Sequence, residues 1–531
     1  MNRKNPMNRL FLALTVCAAA FAAACGGGGS TPTPPPPVGN FSNASLSGQY
    51  AFSMTGSDAI SGSFLARIGS FTADGSGNIT AGIEDVNTAL NGPQTLAFSA
   101  STYTIQADGR GIINLSNATG ALSFSITMLS PTKGLIVETD LNATASGTFL
   151  LQSSSSFNAA GISGNYVFDF SGLDPGGAPD SIVGQFVSTG SGLLSSGLLD
   201  ENDNAVPSGA APFTAGSYQM DATNGPTSGR GVVTFTANGF TFNYIFYIVN
   251  GSRVRMMETG TAGSVGLTVG DAISQASVPA TNANFNGNFA YLLSGVGSRS
   301  QLTRVGRFTA NGSGGLGSIF ADTNDGGTAA QVPGGSLSAM TYAIDTNFPG
   351  SGRGTLTFAD SKLGTFSYIV YLSSSSGGVM QDVSKNTVAD GTLQLQVGAP
   401  FSNSSLAGNY GFNFSGIGNN STNGVLGEED YVGQIALTSA ASNNVSGAVD
   451  FSAFSSNQGA FLNVVVSGNG LTVGGDGTTS SGMRNTFSLK LAGNPSTTLN
   501  FAAYIVNSQT IFVAGTDSAR VISGTVPLQA P

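Results

Sequence analysis

No histidine and no tryptophan occur among the 531 residues of the chain, and cysteine occurs only twice. Without histidine, Ser-His-Asp and Cys-His catalysis are excluded, as are metal sites built on imidazole ligands. The glycine-rich stretches are not phosphate-binding P-loops, because none carries the Gly-Lys-Ser/Thr ending of that motif. We therefore expect a protein that is not an enzyme and that holds no metal and no cofactor.

Charge is also scarce, since only 9% of the residues are charged, and acids outnumber bases 28 to 18. The formal net charge of −10 argues against the basic face that a nucleic-acid partner requires. Apolar residues nevertheless make up 40% of the chain, which is enough to build hydrophobic cores. The sequence thus predicts folded domains with polar, weakly charged surfaces and no nucleic-acid partner.

One nine-residue pattern, which we call the opening motif, occurs four times. Its copies span Gly48–Gly56, Gly164–Gly172, Gly287–Gly295 and Gly408–Gly416. In each copy large apolar residues alternate with other residues, as Tyr50, Phe52 and Met54 do in the first. This alternation places them on one face of a β-strand, and the glycines mark its ends. The motif recurs after 116, 123 and 121 residues (48 to 164, 164 to 287, 287 to 408), which is long enough for each copy to be a domain.

Each copy has the pattern of a set of short strands, with no 3.6-residue periodicity. In the first copy we predict eight strands, near residues 48–55, 64–73, 78–87, 97–106, 110–116, 121–129, 134–140 and 146–152. This favours an all-β fold of four tandem antiparallel domains, each an eight-stranded up-and-down barrel of the lipocalin or avidin type. A β-sandwich is the alternative. The barrel is favoured because repeated residues mark both the first and the last strand of each copy, as expected if these strands pair and close the sheet.

Polar residues also recur at fixed places in the copies. An arginine between two glycines appears as Arg110, Arg230 and Arg353, and a strand aspartate appears as Asp85, Asp200 and Asp322. A glutamine closes each copy, at positions 152, 275, 396 and 529. We interpret the arginines and aspartates either as a binding pair or as a structural ion pair that ties two turns of one unit.

Two further acidic patterns allow a chemical interpretation. Asp74-Gly-Ser-Gly-Asn78 followed by Asp85 superficially resembles a calcium loop, but Ile79 stands where the EF-hand requires glycine, and a β-hairpin turn explains the same residues. A second acid recurs near the seventh strand, as Glu138, Glu258 and Asp382, and two carboxylates in one barrel would suit glycosidase chemistry. Because sugar sites rely on aromatic platforms and the chain has no tryptophan, we favour structural roles for both patterns.

The N-terminus resembles an export signal. Basic residues among the first nine precede the apolar stretch 10–24, which is too short to span a membrane. The stretch ends Ala-Ala-Ala-Cys25, which resembles the lipobox of bacterial lipoproteins, although Ala22 stands where leucine is usual. The resemblance implies cleavage before Cys25 and attachment of a diacylglyceryl lipid to its sulfur. Plain secretion, with cleavage after Ala24, is the alternative.

Cysteine usage favours the lipid anchor. Cys17 lies in the segment that would be removed, so Cys25 would be the only cysteine of the mature chain and would have no disulfide partner. The predicted organisation is a signal peptide (1–24), a lipid-anchored Gly/Pro-rich tether (25–40) and four β repeats (41–152, 157–275, 283–396 and 401–529).

The junctions between copies predict how the barrels are arranged. The segments between a closing glutamine and the next opening glycine are 153–163, 276–286 and 397–407, which have equal lengths. Each spans at most about 36–40 Å when extended. That length suits a sideways step to the next barrel, so we expect barrels placed side by side or in a zigzag rather than stacked coaxially.

These observations predict an exported lipoprotein of the bacterial cell surface, held in the outer membrane, with a display, adhesion or binding role carried by the four β domains. Its partner would be an unknown surface or extracellular ligand, contacted repeatedly with the benefit of avidity. Two alternatives are small apolar-ligand-binding barrels and a passive surface spacer. A lumen filled with side chains would exclude the first alternative. Alternating aromatic strands also suit a transmembrane β-barrel, but the division into four units argues against it.

Overall fold

Each opening motif forms the first strand of an antiparallel β-barrel. The computed structural model describes residues 39–59, 62–88, 92–259, 266–276, 281–419, 426–438, 444–454, 459–469, 471, 473, 484–493 and 497–531. The four barrels belong to one structural unit, Pro37–Pro531. No helix among the described residues is long and apolar enough to cross a membrane.

Barrels 1 and 2 each contain nine strands. Those of barrel 1 are β1 (Ser47–Asp58), β2 (Phe64–Asp74), β3 (Asn78–Thr88), β4 (Gln94–Ala97), β5 (Ser99–Ile105), β6 (Arg110–Asn117), β7 (Gly120–Ser130), β8 (Lys133–Glu138) and β9 (Ala143–Leu151). Those of barrel 2 are β10 (Ser163–Leu173), β11 (Pro179–Thr189), β12 (Leu194–Asp203), β13 (Val206–Pro207), β14 (Ala211–Met220), β15 (Arg230–Ala237), β16 (Phe240–Asn250), β17 (Arg253–Glu258) and β18 (Leu267–Ser274).

Barrels 3 and 4 repeat the same order. The strands of barrel 3 are β19 (Asn286–Val296), β20 (Gln301–Asn311), β21 (Leu316–Asp325), β22 (Thr328–Val332), β23 (Leu337–Ile344), β24 (Arg353–Asp360), β25 (Gly364–Ser374), β26 (Gly377–Asp382) and β27 (Val388–Leu395). Those of barrel 4 are β28 (Gly408–Asn419), β29 (Leu426–Leu437), β30 (Asn444–Ala453), β31 (Gly459–Asn469), β32 (Asn485–Leu491), β33 (Thr497–Asn507), β34 (Thr510–Gly515) and β35 (Arg520–Pro527).

Neighbouring strands along the chain pair antiparallel, and the last strand of each copy returns to the first. In barrel 1, β1 pairs with both β2 and β9, and β3 pairs with β2 and β5, which closes eight strands with β4 as an added strand. Barrels 2 and 4 close in the same way. In barrel 3 only the bridge between Gly315 and Thr341 joins β21 to the β23 side. The prediction of all-β, eight-stranded up-and-down barrels is confirmed, and the sandwich alternative is not.

The register sends the large side chains of the opening motif into the lumen. In barrel 2, Phe168 is fully buried, and its ring packs against those of Phe170, Phe186 and Phe235 at centroid distances of 4.7, 6.1 and 6.2 Å. In the described parts of barrels 2 and 4, the apolar cavities that remain in the lumen measure about 10 Å³ each. Such a volume holds one water at most. Side chains therefore fill these two lumens and leave no room for an apolar ligand.

A short 3₁₀ turn precedes each first strand. The turns are Asn43–Ser45, Ala159–Gly161, Asn282–Asn284 and Asn403–Leu406. A tyrosine of the facing strand holds the turn: Tyr103 donates a hydrogen bond to the Leu46 carbonyl and Tyr342 to the Phe285 carbonyl, each at 2.7 Å. Two further helical turns are a 3₁₀ turn, Ser154–Ser156, after β9 and an α-helical turn, Gly225–Ser228, between β14 and β15.

The barrels pack wall to wall and close into a ring. The outer faces of β1 and β2 contact β16 and β17 of barrel 2, β10 and β11 contact β25 and β26 of barrel 3, and β19 and β20 contact β33 and β34 of barrel 4. β28 and β29 of barrel 4 then contact β7, β8 and β9 of barrel 1. The side-by-side arrangement is the one that the junction lengths predict. The return of barrel 4 to barrel 1 was not predicted.

Candidate functional site

A buried arginine of each following barrel reaches back to the strand aspartate of the barrel before it. Arg230 of barrel 2 donates from Nε and Nη2 to the two carboxylate oxygens of Asp85 of barrel 1, both at 2.8 Å. Tyr247 of barrel 2 adds a hydrogen bond to Asp85 Oδ2 at 2.6 Å. The sequence interpretation of an ion pair within one unit is wrong, because the pair joins two successive units. The pair forms between units because consecutive barrels pack side by side, which brings the start of β15 against β3.

The next two interfaces repeat this arrangement. Arg353 donates twice to Asp200, both times at 2.7 Å, and Tyr371 donates to the same carboxylate at 2.7 Å. Arg484 and Tyr504 hold Asp322 in the same way. Two-pronged, charge-assisted hydrogen bonds in a buried setting fix orientation as well as distance. Each following barrel is therefore locked to the one before it.

The glutamine that closes each copy also crosses to the next barrel. Gln152 donates from Nε2 to the carbonyls of Ser228 and Ile248 of barrel 2, at 2.9 and 2.6 Å. Gln275 does the same to Ser351 and Leu372 of barrel 3. The repeated glutamine, which the sequence marked only as the end of a copy, thus belongs to an interface.

The outward residues of the opening strands supply an apolar layer between barrels. Between barrels 1 and 2 the buried cluster is Ala51, Ala66, Ile68, Ile245, Tyr247, Val249, Met257, Leu267 and Val269. Between barrels 2 and 3 it is Val167, Val183, Leu198, Ile369, Tyr371 and Val379, and between barrels 3 and 4 it is Ala290, Val305, Ala502, Tyr504, Val506, Phe512 and Ala514. Both faces of these strands are therefore buried.

The interface between barrels 4 and 1, which we call the closing interface, completes the ring. Gln529 donates to the carbonyls of Asp108 and Met128 at 3.0 and 2.8 Å, as the other closing glutamines do. Arg110 pairs with Asp108 of its own barrel at 2.8 Å, as Arg353 does with Asp345, but toward barrel 4 it donates to Asn463 Oδ1 at 2.9 Å and lies 3.8 Å from Asp450. The backbone link is kept, but the two-pronged ion pair is not.

A polar cavity of about 280 Å³, which we call the axial cavity, lies where the four barrels meet. The second-last residue of each opening motif lines it: Thr55, Ser171, Ser294 and Ser415. Three carboxyl groups, from Asp180, Asp390 and Glu428, line it as well, and no lysine or arginine is among its described lining residues. Because equivalent positions of all four barrels contribute, the cavity exists only in the assembled ring.

Buried acids surround this cavity. Burial, followed by the charges of Asp390 and Asp271, raises the pKa of Asp169 well above its usual range. Burial raises the pKa of Asp390 to about 7, against hydrogen bonds from Ser181 and Ser171 that lower it. A carboxyl group that is buried beside like charges keeps its proton at higher pH. A cation placed beside these acids would favour their ionised forms, so its binding would release protons.

One of these acids differs from its equivalents in the other copies. Asp169 lies inside the opening motif at a position where the other copies have Ser53, Leu292 and Asn413. The residue alternates with buried aromatics, so it points out of the barrel. From the sequence alone, an acid at this position is expected to face solvent, because nothing in the sequence shows that another barrel covers the outer face of the strand.

A second, larger cavity of about 600 Å³ lies at the closing interface. Ser57, Asp58 and Leu141 of barrel 1 line it, together with Ile417 and Glu428 of barrel 4. Ser57 donates to Glu428 Oε2 at 3.0 Å, and Thr144 donates to Asp430 Oδ2 at 2.8 Å. Glu428 therefore borders both cavities.

The other predicted acidic patterns have structural partners. Asp74 accepts hydrogen bonds from the backbone of Ser76 and Asn78, at 2.7 and 3.0 Å, which is the chemistry of a hairpin turn. Glu138 accepts two from Arg67 inside barrel 1, at 3.0 and 3.1 Å. Within the described parts of the chain, no cluster of three or more acidic, cysteine or histidine side chains has the geometry of a metal site. Cys25, the predicted lipidation site, lies outside the described residues.

No protein-family model matches the sequence, and no curated protein matches it at a significant level. Among solved structures, isotype 1 transferrin binding protein B from serogroup B Neisseria meningitidis is 9% identical with a TM-score of 0.19, and the match covers 74% of this chain and 82% of that chain. A mutant of the vaccine antigen transferrin binding protein B from Haemophilus parasuis Hp5 is 8% identical with a TM-score of 0.20, and the match covers 77% of this chain and 86% of that chain. Function must therefore be argued from this chain's own geometry.

Proposed function

We propose that the protein is a lipid-anchored, non-enzymatic binding protein of the bacterial cell surface, and that its four barrels act as one binding unit. The observation that carries this proposal is the axial cavity, to which all four barrels contribute and which carries carboxyl groups without a lysine or arginine. A positively charged ligand would favour the ionised forms of these acids, so the cavity suits such a ligand. The ligand sits between the barrels rather than inside them.

The filled lumens support this choice over the binding of apolar ligands. Cavities of about 10 Å³ in barrels 2 and 4 are far below the roughly 300 Å³ of a small-molecule pocket. The axial cavity, at about 280 Å³, is close to that size and is lined by polar groups. A passive spacer would not need buried acids, because each buried carboxyl group costs stability unless it is paired.

Anchoring is the second part of the proposal. Cys25 carries the lipid, and the Gly/Pro-rich segment 26–39 lifts the ring off the outer membrane. The ring then presents one rigid unit on one tether. This geometry suits capture of an extracellular ligand next to the cell.

The anchor is tested by comparing the wild type with Cys25→Ser in cells that are fed labelled palmitate. We expect label and detergent-phase partitioning for the wild type and neither for the variant, with both proteins exported. Loss of the protein after protease treatment of intact cells would place it on the outside. An unlabelled, aqueous wild type would contradict the anchor.

The binding site is tested by isothermal titration of the purified mature protein with polyamines and basic peptides. Glu428→Gln and Asp390→Asn should each weaken binding about tenfold or more. Asp74→Asn, which removes an exposed carboxylate from a hairpin, is the matched control and should not change the affinity. Equal affinities for all four proteins would contradict a site in the axial cavity.

A further inference from the structure

Three of the four barrels hold an arginine of their own at the polar end of the lumen. In barrel 1, Arg67 donates to Glu138 at 3.0 and 3.1 Å and to Glu84 at 3.1 Å. In barrel 3, Arg304 pairs with Asp382, and its guanidinium carbon lies 4.8 Å from the centre of the Phe366 ring. In barrel 4, Arg520 donates to Glu429 at 2.8 Å. Each of these lumens therefore satisfies its acids internally.

Barrel 2 has a different residue at both arginine positions. The seventh residue of the opening motif pairs with Arg67 in barrel 1 and with Arg304 in barrel 3. In barrel 2 the seventh residue is Phe170, and it pairs with Ile182. The position equivalent to Arg520 is Gly266, where an added Cβ would lie only 3.0 Å from Glu258 Oε2 and 2.9 Å from the Leu173 carbonyl oxygen. Neither position supplies a cation, and the second has no room for a side chain.

Two of the acids that pair with these arginines are kept in barrel 2, whereas Leu199 stands where barrel 1 has Glu84. Glu258, opposite Tyr244, is equivalent to Glu138 and Asp382, and Asp180, opposite Gly172, is equivalent to Glu429. Barrel 2 thus combines the acid that barrels 1 and 3 share with the acid of barrel 4. Glu201 and Asp203 of β12 point into the same lumen.

These four carboxyl groups, which we call the acid cluster, have no cationic partner in the described structure. None of the ion pairs there involves Asp180, Glu201, Asp203 or Glu258. Asp180 is only 6% exposed, and its Oδ1 atom has no hydrogen-bond partner among the described residues. Burial, followed by the charges of Glu201, Asp203 and Glu258, raises the pKa of Asp180 to about 9, and burial raises the pKa of Glu258 to about 7.

We propose that the acid cluster of barrel 2 binds a guanidinium group supplied from outside the chain, such as the arginine side chain of a partner. The group takes the place that Arg67, Arg304 and Arg520 occupy in the other barrels. A guanidinium suits the cluster better than a metal ion, because the described acids do not converge with metal-site geometry. A planar guanidinium instead bridges separate carboxylates, as Arg67 bridges Glu84 and Glu138.

The cluster is reached from the axial cavity. Asp180 lines that cavity, as do Leu173 and Pro179 on either side of the turn that leads to it. The inference therefore deepens the proposed function, on which it rests for the route of entry, and names the chemical group that is bound. The acid cluster can be tested separately from the axial cavity, because Glu428 and Asp390 line the cavity outside barrel 2, whereas Ile182 lies inside that barrel.

The test is isothermal titration of the purified mature protein with agmatine, which is a guanidinium on a short apolar stem. Acetyl-Gly-Arg-Gly-amide tests the same group as an arginine side chain, and cadaverine and calcium chloride are the competing cations. We expect agmatine to bind once per chain and at least tenfold more tightly than cadaverine or calcium. Binding of the peptide as well assigns an arginine side chain, and binding of agmatine alone assigns a small guanidinium compound.

The matched variants are Ile182→Arg and Ile182→Leu. Ile182→Arg supplies the internal guanidinium that barrels 1 and 3 have, so it should abolish agmatine binding, whereas Ile182→Leu should leave it unchanged. Asp180→Asn and Glu258→Gln should each weaken binding about tenfold or more, and they decide the matter if Ile182→Arg does not fold. Binding should also release protons, seen as a dependence of the heat on the ionisation enthalpy of the buffer.

Several results would overturn the inference. No agmatine binding to the wild type, unchanged binding in Ile182→Arg or Asp180→Asn, or tighter binding of calcium than of agmatine would each do so. Cation binding that is lost in Glu428→Gln but kept in Ile182→Arg would retain the axial site and remove the acid cluster. Agmatine binding that is lost in Ile182→Arg but kept in Glu428→Gln would retain the acid cluster and remove the axial site.

Discussion

The three interfaces between consecutive barrels and the closing interface are built from equivalent strands, yet they differ in chemistry. Consecutive barrels share a two-pronged arginine–aspartate pair and a tyrosine hydroxyl, as Arg353, Asp200 and Tyr371 do. At the closing interface the tyrosine position is Thr127, opposite Arg110 in the register. The apolar layer there shrinks to Leu129, Leu135, Val137 and Val432.

The closing interface compensates in part through close approach and neutralised acids. Gly411 takes the place of Ala51, Val167 and Ala290, and a Cβ on it would lie 2.5 Å from Leu129 Cδ2, so the walls approach closely there. Glu428 and Asp430 hydrogen-bond to Ser57 and Thr144 across the gap. The closing interface therefore lacks the two-pronged ion pair, and carboxyl groups with raised pKa values donate or accept hydrogen bonds across it.

The largest expected effect compares the two acids at matched positions. Asp200→Ala removes both short hydrogen bonds that Arg353 donates across the interface and leaves it only Asp345 of its own barrel, and breaking such a buried pair costs about 3–5 kcal/mol of unfolding free energy. Asp450→Ala at the closing interface should cost only about 1–2 kcal/mol, because Arg110 lies 3.8 Å from Asp450 and keeps its bond to Asn463 Oδ1 at 2.9 Å, so the main loss is the bond from the Asn463 backbone. Urea unfolding of the mature protein measures both. Equal losses would show that the two interfaces are energetically alike.

The second effect is the pH dependence of the closing interface. Burial, followed by the charge of Asp430, raises the pKa of Glu428 well above its usual range, and burial raises the pKa of Asp430 from 3.8 to about 6. Because the folded-state pKa lies above the unfolded one, the stability contribution is complete below about pH 4 and is lost as pH rises through about 6. For Asp430 the loss is on the order of 3 kcal/mol, at about 1.4 kcal/mol for each pKa unit.

This prediction is measured as the difference in unfolding free energy between the wild type and the Glu428→Gln/Asp430→Asn double variant from pH 4 to pH 8. The variant should gain on the wild type as pH rises through 6. Asp74→Asn is the flat control, because hydrogen bonds from Asn78 and Ser76 lower the pKa of that exposed carboxylate and its contribution changes only below this pH range. A pH-independent difference for the double variant would mean that both acids are already ionised at low pH.

The barrel itself was predictable because each strand carries its own signal. The predicted strand 64–73 is observed as Phe64–Asp74, and 110–116 as Arg110–Asn117. The predicted strand 97–106 is instead split into Gln94–Ala97 and Ser99–Ile105, because Phe98 packs against the core between them and its backbone N–H bonds to the Gly82 carbonyl. Alternation predicts the face of a residue but not a break in the ladder.

The candidate site was predictable only in its parts. The repeats predict that an arginine such as Arg230 pairs with an aspartate such as Asp85. Because both residues recur in several copies, the sequence does not show whether the two partners come from the same copy or from neighbouring ones. Asp180 and Ile182 were not identified from the sequence, because the residues that recur in every copy do not include them. These two are distinguished by how barrel 2 differs from the other barrels. Which outer faces are covered depends on the closure of the ring, and no local pattern encodes it.

The third effect concerns the closing glutamines, each of which donates to a backbone carbonyl of the neighbouring barrel. Gln275→Ala leaves the carbonyls of Ser351 and Leu372 without their donor, and Gln529→Ala does the same to those of Asp108 and Met128. Both should cost about 2 kcal/mol, since a buried acceptor that loses its partner costs about 1–3 kcal/mol. Thermal unfolding at one pH suffices to compare them. A loss at Gln275 without one at Gln529 would show that barrel 4 does not dock on barrel 1 in solution.

The smallest effect isolates a single hydroxyl at matched positions. Tyr371→Phe removes one hydrogen bond to Asp200 but leaves both bonds from Arg353, so the loss should be about 1 kcal/mol. At the closing interface the equivalent change is Thr127→Val, which keeps the shape. Among the described residues the Thr127 hydroxyl is buried without a partner, so its removal should cost nothing or stabilise the protein slightly. A loss of about 1 kcal/mol in Thr127→Val would mean that this hydroxyl bonds across to barrel 4, and that the closing interface is better satisfied than its ion pairs indicate.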